Sequence, residues 1–381
     1  MIMKKFILIL IICLFFITGC KQKQDDKLVF ASWGSKTEVQ ILKNLISDFE
    51  KENPDIKVEF LHIPQNYFQK LHLMFASNLA PDVIFINNLN IPVYEKYLLD
   101  LSNLIQNKND YYPQVLDTMT YKNRLLAIPR DVSTLVIFYN KDLFDKNNLA
   151  YPNENWNMTD FLNTAKTLSN KDVYGISFEE NSLFYLPYMR VFGGDILAQN
   201  GEQLINTENS QKGIQFYSDL RNKYNVAPKK YQSASETMAQ MFINGRLAMH
   251  LSGRWLVPKY REDINFDWDI VNFPNLNGKS SVTLDSSGYA ITKTSKHKNE
   301  ALKLVEFLSS DKAVQKFTTT GLIVPARIDT INSPAFLDNN KPKNAKLFID
   351  IIKNSEKTPV NKHYKEITDK LDEQLNYKFN K

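Results

Sequence analysis

Apolar positions recur along this chain with two periods, near 2 and near 3.6, and their alternation sets the expected fold. Leu28–Ser32 is a short apolar run that reads as a strand ending at Trp33-Gly34. Ser35 and Glu38 then have the spacing of a capping box, ahead of Val39, Leu42, Leu45, Ile46 and Phe49 at helical spacing. Pro54 lies beyond the end of that helix. Ile56–Ile63 alternates as a strand, Asn66–Ser77 is amphipathic again, and Pro81–Ile86 is an apolar run suited to a covered strand ending in Asn87-Asn88-Leu89-Asn90. A β-α-β-α-β rhythm of this kind predicts a parallel sheet with helices on both faces.

The pattern continues with strands over Leu125–Ile128 and Thr134–Tyr139, joined through Pro129-Arg130-Asp131. Helices follow at Asp160–Leu168, Leu183–Phe192 and Ser210–Tyr224, with a strand at Val173–Phe178. The stretch FINGRLAMHLSGRW, Phe242–Trp255, is the densest in signals. It ends an amphipathic helix starting near Ser235, stops it at Gly245 where a left-handed cap is favoured, and runs a strand over Leu247–Leu251. It then turns at Ser252-Gly253 to present Arg254 and Trp255. Ligands of open α/β sheets bind beyond the carboxyl ends of strands, and Trp255 stands at such an end. Further strands are expected near Trp268–Phe273 and Val282–Thr292. Helices are expected at Asn299–Leu308, from Asp311, and near Asn344–Lys353 and His363–Tyr377.

The N-terminus has a different character. Lys4 and Lys5 precede a continuous apolar run, Phe6–Ile17, of 12 residues, short of the ~20 that span a bilayer. Ile17-Thr18-Gly19-Cys20 resembles the bacterial lipobox, which implies cleavage before Cys20 and acylation of that cysteine. Two or more acyl chains anchor a protein stably, whereas one binds marginally. Residues 1–19 thus read as a lipoprotein signal peptide and 20–27 as a polar tether. Removing Lys4 and Lys5 lowers the formal charge of +5 by two, to +3. Such a small, spread charge gives no basis for nucleic-acid binding. The cysteines are Cys13, inside the leader, and Cys20, so the mature chain has no disulfide and no thiol chemistry. With 381 residues and 43% apolar content, two domains with large cores are expected.

Catalytic motifs are missing. There is no G-x-S-x-G, H-E-x-x-H, G-x-G-x-x-G or P-loop. His62, His72, His250, His297 and His363 have no ligand spacing to one another, so neither a metal nor a cofactor is expected. Aromatic and small polar residues gather instead at strand ends: Trp33, Asn87–Asn90, Asp131, Ser133, Trp255 and Asp285–Gly288. Sugars present C–H faces to aromatic rings and hydroxyl pairs to polar side chains, which a concave site of this composition would suit.

In order along the mature chain, a set of segments resembles the extracellular solute-binding proteins of ABC sugar importers, the group that includes maltose-binding protein. The segments are Trp33-Gly34, Phe49–Pro54, Ala80–Phe85, Phe138–Phe144, Trp156–Leu162, Phe192–Gly194, Phe242–Trp255, Gly288–Thr292 and Ala301–Asp311. The resemblance implies a two-lobed periplasmic-binding-protein fold of type II. Each lobe would be a mostly parallel sheet flanked by helices, and the chain would cross a hinge near Asp131–Ser133, Asp285–Gly288 and Thr319–Pro325. It implies an N-terminal lobe of 28–131 plus 288–320 and a C-terminal lobe of 132–287 plus 321–381. The ligand would lie between them, with Trp255 and then Trp33 as stacking platforms. Further contacts would come from Asn88, Asn90, Asp131, Ser133, Phe184, Tyr185, Ser287, Gly288 and Arg327. The expected role is non-enzymatic: a monomer in the cell envelope, anchored outside the cytoplasm through lipidated Cys20, that captures a mono- or oligosaccharide for membrane permease subunits. Glycerol-3-phosphate or another polar solute is the alternative ligand, with Arg130, Arg254 and Arg327 as candidate phosphate partners. An anchored glycoside-acting enzyme, or a surface adhesion or sensor module on the same fold, are the other classes.

Overall fold

The structure, a computed structural model, describes residues 27–233, 236–276, 280–338 and 340–381. The expected signal segment, Cys20 and Ser235 lie outside the described residues. Strand β1 (Leu28–Ser32) leads through Trp33-Gly34 into the helix Lys36–Glu52. That helix starts as its sequence demands: the Ser35 hydroxyl accepts from the Glu38 amide (3.3 Å), and the Glu38 carboxylate accepts from the Ser35 amide (2.9 Å). Its apolar stripe, Leu42, Leu45, Ile46 and Phe49, is buried. Then come β2 (Val58–His62), the helix Tyr67–Ala76 and β3 (Val83–Asn87). A small hairpin, β4 (Thr120–Tyr121) with β5 (Arg124–Leu125), precedes β6 (Ile128–Ser133) and β7 (Leu135–Asn140). The second lobe adds β8 (Tyr174–Ile176), β9 (Leu247–Gly253) and β10 (Trp268–Val271). The chain then returns through β11 (Asp285–Ile291) and β12 (Val324–Pro325).

Two principal sheets result, one per lobe, in the orders β12-β6-β11-β3-β1-β2 and β10-β7-β9-β8. The β-α-β rhythm does produce parallel pairing, β1 with β2 and β3, and β8 with β9. Strands near the lobe junction run the other way. β11 is antiparallel to both β3 and β6, and β7 is antiparallel to β9 and β10. Each sheet is therefore mixed rather than mostly parallel, because a strand arriving from the other lobe enters opposite to those built by local crossovers. Helices cover the faces. The first core centres on Phe30, Phe85 and Tyr289, and the second on Phe138, Tyr260 and Trp268.

The junction differs in detail from the sequence expectation. Pro129-Arg130-Asp131 is not a link but the middle of β6, and the change of sheet takes one residue, Thr134. Pro129 is tolerated there because the ladder with β11 is irregular between Ser287 and Gly288. The boundaries expected at 131/132 and 287/288 thus fall inside β6 and β11, both of which belong whole to the first sheet. Residues 324–325 also pair in that sheet, with β6. Arg327 is still tied to the first lobe through Asp110 and Asp311, whereas Asp338 and Asn344 bond Arg261 and Asp269 of the second lobe. The third crossing therefore lies between 327 and 338, later than Thr319–Pro325. The C-terminal helix, Tyr364–Phe379, packs on the second-lobe helices Ser182–Val191 and Glu208–Asn222.

Candidate functional site

Where the two sheets meet, a cavity of about 200 Å³ is lined by Trp33, Glu38, Phe85, Arg130, Asp131, Ser133, Thr134, Arg254, Trp255, Ser287 and the segment 322–324. Trp33 reaches it because β1 ends there. Its indole rests on a first-lobe aromatic bed, with ring centres at 4.4 Å from Phe85, 5.0 Å from Tyr67 and 5.5 Å from Phe68. Trp255 reaches it from the second lobe: Ser252-Gly253, expected to turn, are the last residues of β9, and Trp255 sits in the single 3-10 turn Arg254–Leu256 that follows. The Gly253 backbone is extended, but a Cβ on it would lie 1.9 Å from the Trp255 ring. The glycine is therefore a seat, letting the indole lie over the strand end with the residue 39% exposed.

The polar floor is an ion cluster. The Arg130 guanidinium is sandwiched between the Phe85 and Phe317 rings at 4.2 and 4.5 Å. Its Nε donates to Asp131 (2.6 Å) and an Nη donates to Glu38 (3.2 Å). Burial opposes the Arg130 charge, but Asp131, Tyr289 and Glu38 around it push its pKa up on balance. Burial raises the Asp131 pKa, and the neighbouring Arg130 only partly opposes this. Glu38 thus has two tasks, helix cap and counter-ion. On the other wall Arg254 is 2% exposed and lies over Phe336 at 4.2 Å. Among the described residues no acceptor faces its three guanidinium nitrogens, and burial pulls its pKa down to about 9. The Thr134 hydroxyl is likewise buried without a partner among the described residues. A larger groove of about 420 Å³ runs along Arg190, Asp195, Gln199 and Glu356, but no aromatic side chain lines it.

A family model for bacterial extracellular solute-binding proteins matches residues 33–315. The chain belongs to that family. The galactooligosaccharide-binding protein of Bacillus subtilis is 25% identical over 344 residues, covering 86% of this chain and 79% of that protein. The B. subtilis maltodextrin-binding protein is 23% identical over 332 residues, covering 79% and 74%. Among solved structures, an ABC substrate-binding protein from Listeria monocytogenes in complex with cycloalternan superposes with a TM-score of 0.84 at 25% identity, covering 93% of each chain. A maltose-bound protein of T. maritima gives 0.79 at 22% identity, covering 93% of this chain and 94% of that one. The two-lobed α/β architecture expected from the sequence is therefore that of known members, and the family's setting is outside the cytoplasm. Among the described residues no helix is long and apolar enough to cross a membrane.

Of the residues that the sequence put forward, this solute-binding protein brings Trp33, Asp131, Ser133, Trp255 and Ser287 to one cavity. Six others do not line it. Asn88 is buried and engaged with Asp285 and the Ser286 amide. The Asn90 amide is turned onto Asn87 (2.7 Å), closing the turn after β3. Phe184 is partly buried against the second-lobe core, and Tyr185 is wholly inside it, its hydroxyl donating to Asp372 at 2.6 Å. Gly288 has a backbone reason: a Cβ would lie 2.1 Å from the Ile128 carbonyl oxygen. Arg327 is a clamp, but inside the first lobe, on Asp110 (2.5 Å) and Asp311 (2.8 Å). Sequence reasoning passed over Glu38, read only as a cap, and Thr134, read only as the start of a strand. Arg130 entered only as a candidate phosphate partner. A pair of adjacent opposite charges inside a buried strand was the available signal for Arg130.

Proposed function

We propose that this solute-binding protein captures a carbohydrate between its lobes and passes it to the membrane permease of an ABC transporter, held at the membrane by a lipid on Cys20. The observation that carries the reading is the pair of indoles, one from each lobe, on a cavity whose floor offers carboxylates and hydroxyls. Rings take the C–H faces of a sugar and fixed acceptors take its hydroxyls. A ligand touching both walls is bound fully only when the lobes come together, so it draws the protein toward closure. The relatives named for galactooligosaccharides and maltodextrins, and the cycloalternan complex, support the same class.

The alternatives draw less from the geometry. A phosphate needs free cations, and Arg130 is already neutralised by Asp131 and Glu38. Arg327 is committed within the first lobe, and the Arg254 nitrogens are enclosed beside Phe336. A glycoside-cleaving pair needs two carboxyls facing each other across the scissile bond, whereas Glu38 and Asp131 converge on one arginine of one lobe. The test is a thermal-shift screen against neutral mono- and oligosaccharides and sugar phosphates, since a ligand bound only to the native state stabilises it by RT ln(1 + [L]/Kd). Shifts from neutral sugars are expected. Shifts from sugar phosphates alone would overturn the reading. For the anchor, Cys20→Ser should move the protein from the membrane pellet to the soluble fraction, and continued pelleting would refute lipidation.

A further inference from the structure

A second polar cluster lies just behind the cavity, where the chain passes repeatedly between the lobes. The Asp285 carboxylate, at the first residue of β11, is buried. One oxygen accepts from the Asn88 side-chain amide at 2.7 Å. The other accepts from the hydroxyls of Thr283 (3.2 Å) and Thr358 (2.9 Å). Asn88 closes the ring by accepting from the Ser286 amide at 3.0 Å. These donors come from three separate stretches of chain. Asn88 belongs to the turn after β3 in the first lobe. Thr283 is on the segment that leaves β10 of the second lobe. Thr358 is on the segment that leads to the C-terminal helix, which is docked on the second lobe.

The segment 356–358 is itself held to the first lobe. The Leu284 amide donates to the Glu356 carbonyl at 3.0 Å, and the Lys357 ammonium donates to the Asp117 carbonyl (2.9 Å) and pairs with its carboxylate (3.0 Å). Two residues beyond Asp285, Ser287 lines the cavity. Burial raises the Asp285 pKa against the pull of its donors. A carboxylate kept in so dry a place is costly unless every lone pair is used, and here three side chains converge to use it.

We infer that Asp285 is a positioning residue for ligand capture: it pins the crossing that enters β11, the segment before the C-terminal helix and the β3 turn to one point, and so sets the resting angle from which the lobes close. This rests on the carbohydrate reading only for its ligand readout. Without the pin each lobe keeps its own core, yet these three segments move independently and the lobes sample wider angles. A ligand that must touch both walls then meets the competent arrangement less often, and apparent affinity falls with that fraction.

The test uses Asp285→Ala, with Asp285→Asn as the conservative variant, whose amide oxygen can accept from Asn88 while Thr283 and Thr358 turn to accept from its NH2. The unliganded proteins are compared by small-angle scattering, and their affinities for maltotriose and for a galactooligosaccharide mixture by calorimetry. Asp285→Ala is expected to broaden the distance distribution and raise the radius of gyration, and to weaken sugar binding roughly tenfold. Asp285→Asn should return both readouts to wild type, and Asn88→Ala added to Asp285→Ala should change affinity no further. A lower melting temperature with unchanged scattering and affinity would overturn the inference, leaving Asp285 a buried polar filler. If Asp285→Ala does not fold, Thr358→Val and Asn88→Ala each remove one donor and must shift the scattering in the same direction. If wild type binds neither sugar, the carbohydrate reading is what fails, and scattering alone decides the pin.

Discussion

Gly253→Ala is a small change that acts on the binding wall through another residue. The new methyl would stand 1.9 to 2.3 Å from three carbons of the Trp255 ring, so the ring must leave the strand end. Overpacking in a closed core costs about 1–3 kcal/mol, but Trp255 is 39% exposed and can swing outward. The stability loss should therefore stay below about 1 kcal/mol. The ligand loses far more. Burying a large apolar side chain is worth about 1.5–3 kcal/mol. With about four-tenths of the residue still to be covered, ligand contact contributes roughly 0.6–1.2 kcal/mol of that. Face-on aromatic contact adds about 0.5–1.5 kcal/mol. Together these correspond to a Kd weakened roughly sixfold to ninetyfold. At a sugar concentration 100 times the wild-type Kd, ligand stabilisation of about 2.7 kcal/mol would drop to about 1.1 kcal/mol for a twentyfold loss. Denaturant melts with and without sugar measure both quantities, and tryptophan fluorescence reports the displaced ring. Full sugar stabilisation alongside an altered Trp255 signal would refute the role of the ring. An unchanged fluorescence signal would refute the steric argument.

The other substitutions separate charge, packing and binding. Arg130→Met should cost about 3–5 kcal/mol, because it leaves a buried carboxylate unpaired. Arg130 opposes the burial that already raises the Asp131 pKa, so that pKa climbs further in the variant. A carboxyl raised in the folded state stabilises it below the unfolded pKa, ~3.9, and loses that contribution as pH rises through the folded pKa. Urea melts of variant and wild type should therefore diverge from acid toward neutral pH, and a pH-independent gap would refute the assignment. Arg254→Met should leave stability unchanged or raise it, since among the described residues no acceptor is lost. The wild-type cost of charging Arg254 is relieved only above its pKa of about 9, so any advantage of the variant should shrink at higher pH. A large loss in urea melts at neutral pH would reveal a partner for the guanidinium. Tyr185→Phe should cost about 1.5–3 kcal/mol through the lost bond to Asp372 and leave sugar affinity intact; a weaker Kd by calorimetry would return Tyr185 to the cleft.

Much of the architecture was legible in the chain because it rests on local rules. The capping box at Ser35 and Glu38 formed as spelled. Gly245 stops its helix with φ of +70°, and Leu247–Gly253 is a fully buried strand. These outcomes depend on residues close in sequence, where period and cap chemistry act directly. Pro129-Arg130-Asp131 misled for the opposite reason: a proline and two charges read as a link, while an irregular ladder and an aromatic sandwich around Arg130 accommodate all three inside β6. Arg327 misled because its carboxylate partners, Asp110 and Asp311, belong to other elements of the first lobe, brought to it only by the fold.

Trp33 and Trp255 mark the division most plainly. Sequence alone placed each at the end of a strand, since the apolar runs before them and the small residues beside them are local signals. It also determined the alternation of strands and helices. That the two indoles, 222 positions apart in the chain, line one cavity was decided only by tertiary structure. β6 runs into β7 through the single residue Thr134, and β11 returns beside β6, so the ends of strands from two sheets share one junction. No local period encodes such a meeting, because it depends on which strand pairs with which across hundreds of residues, and that pairing is settled by burial of the two cores together.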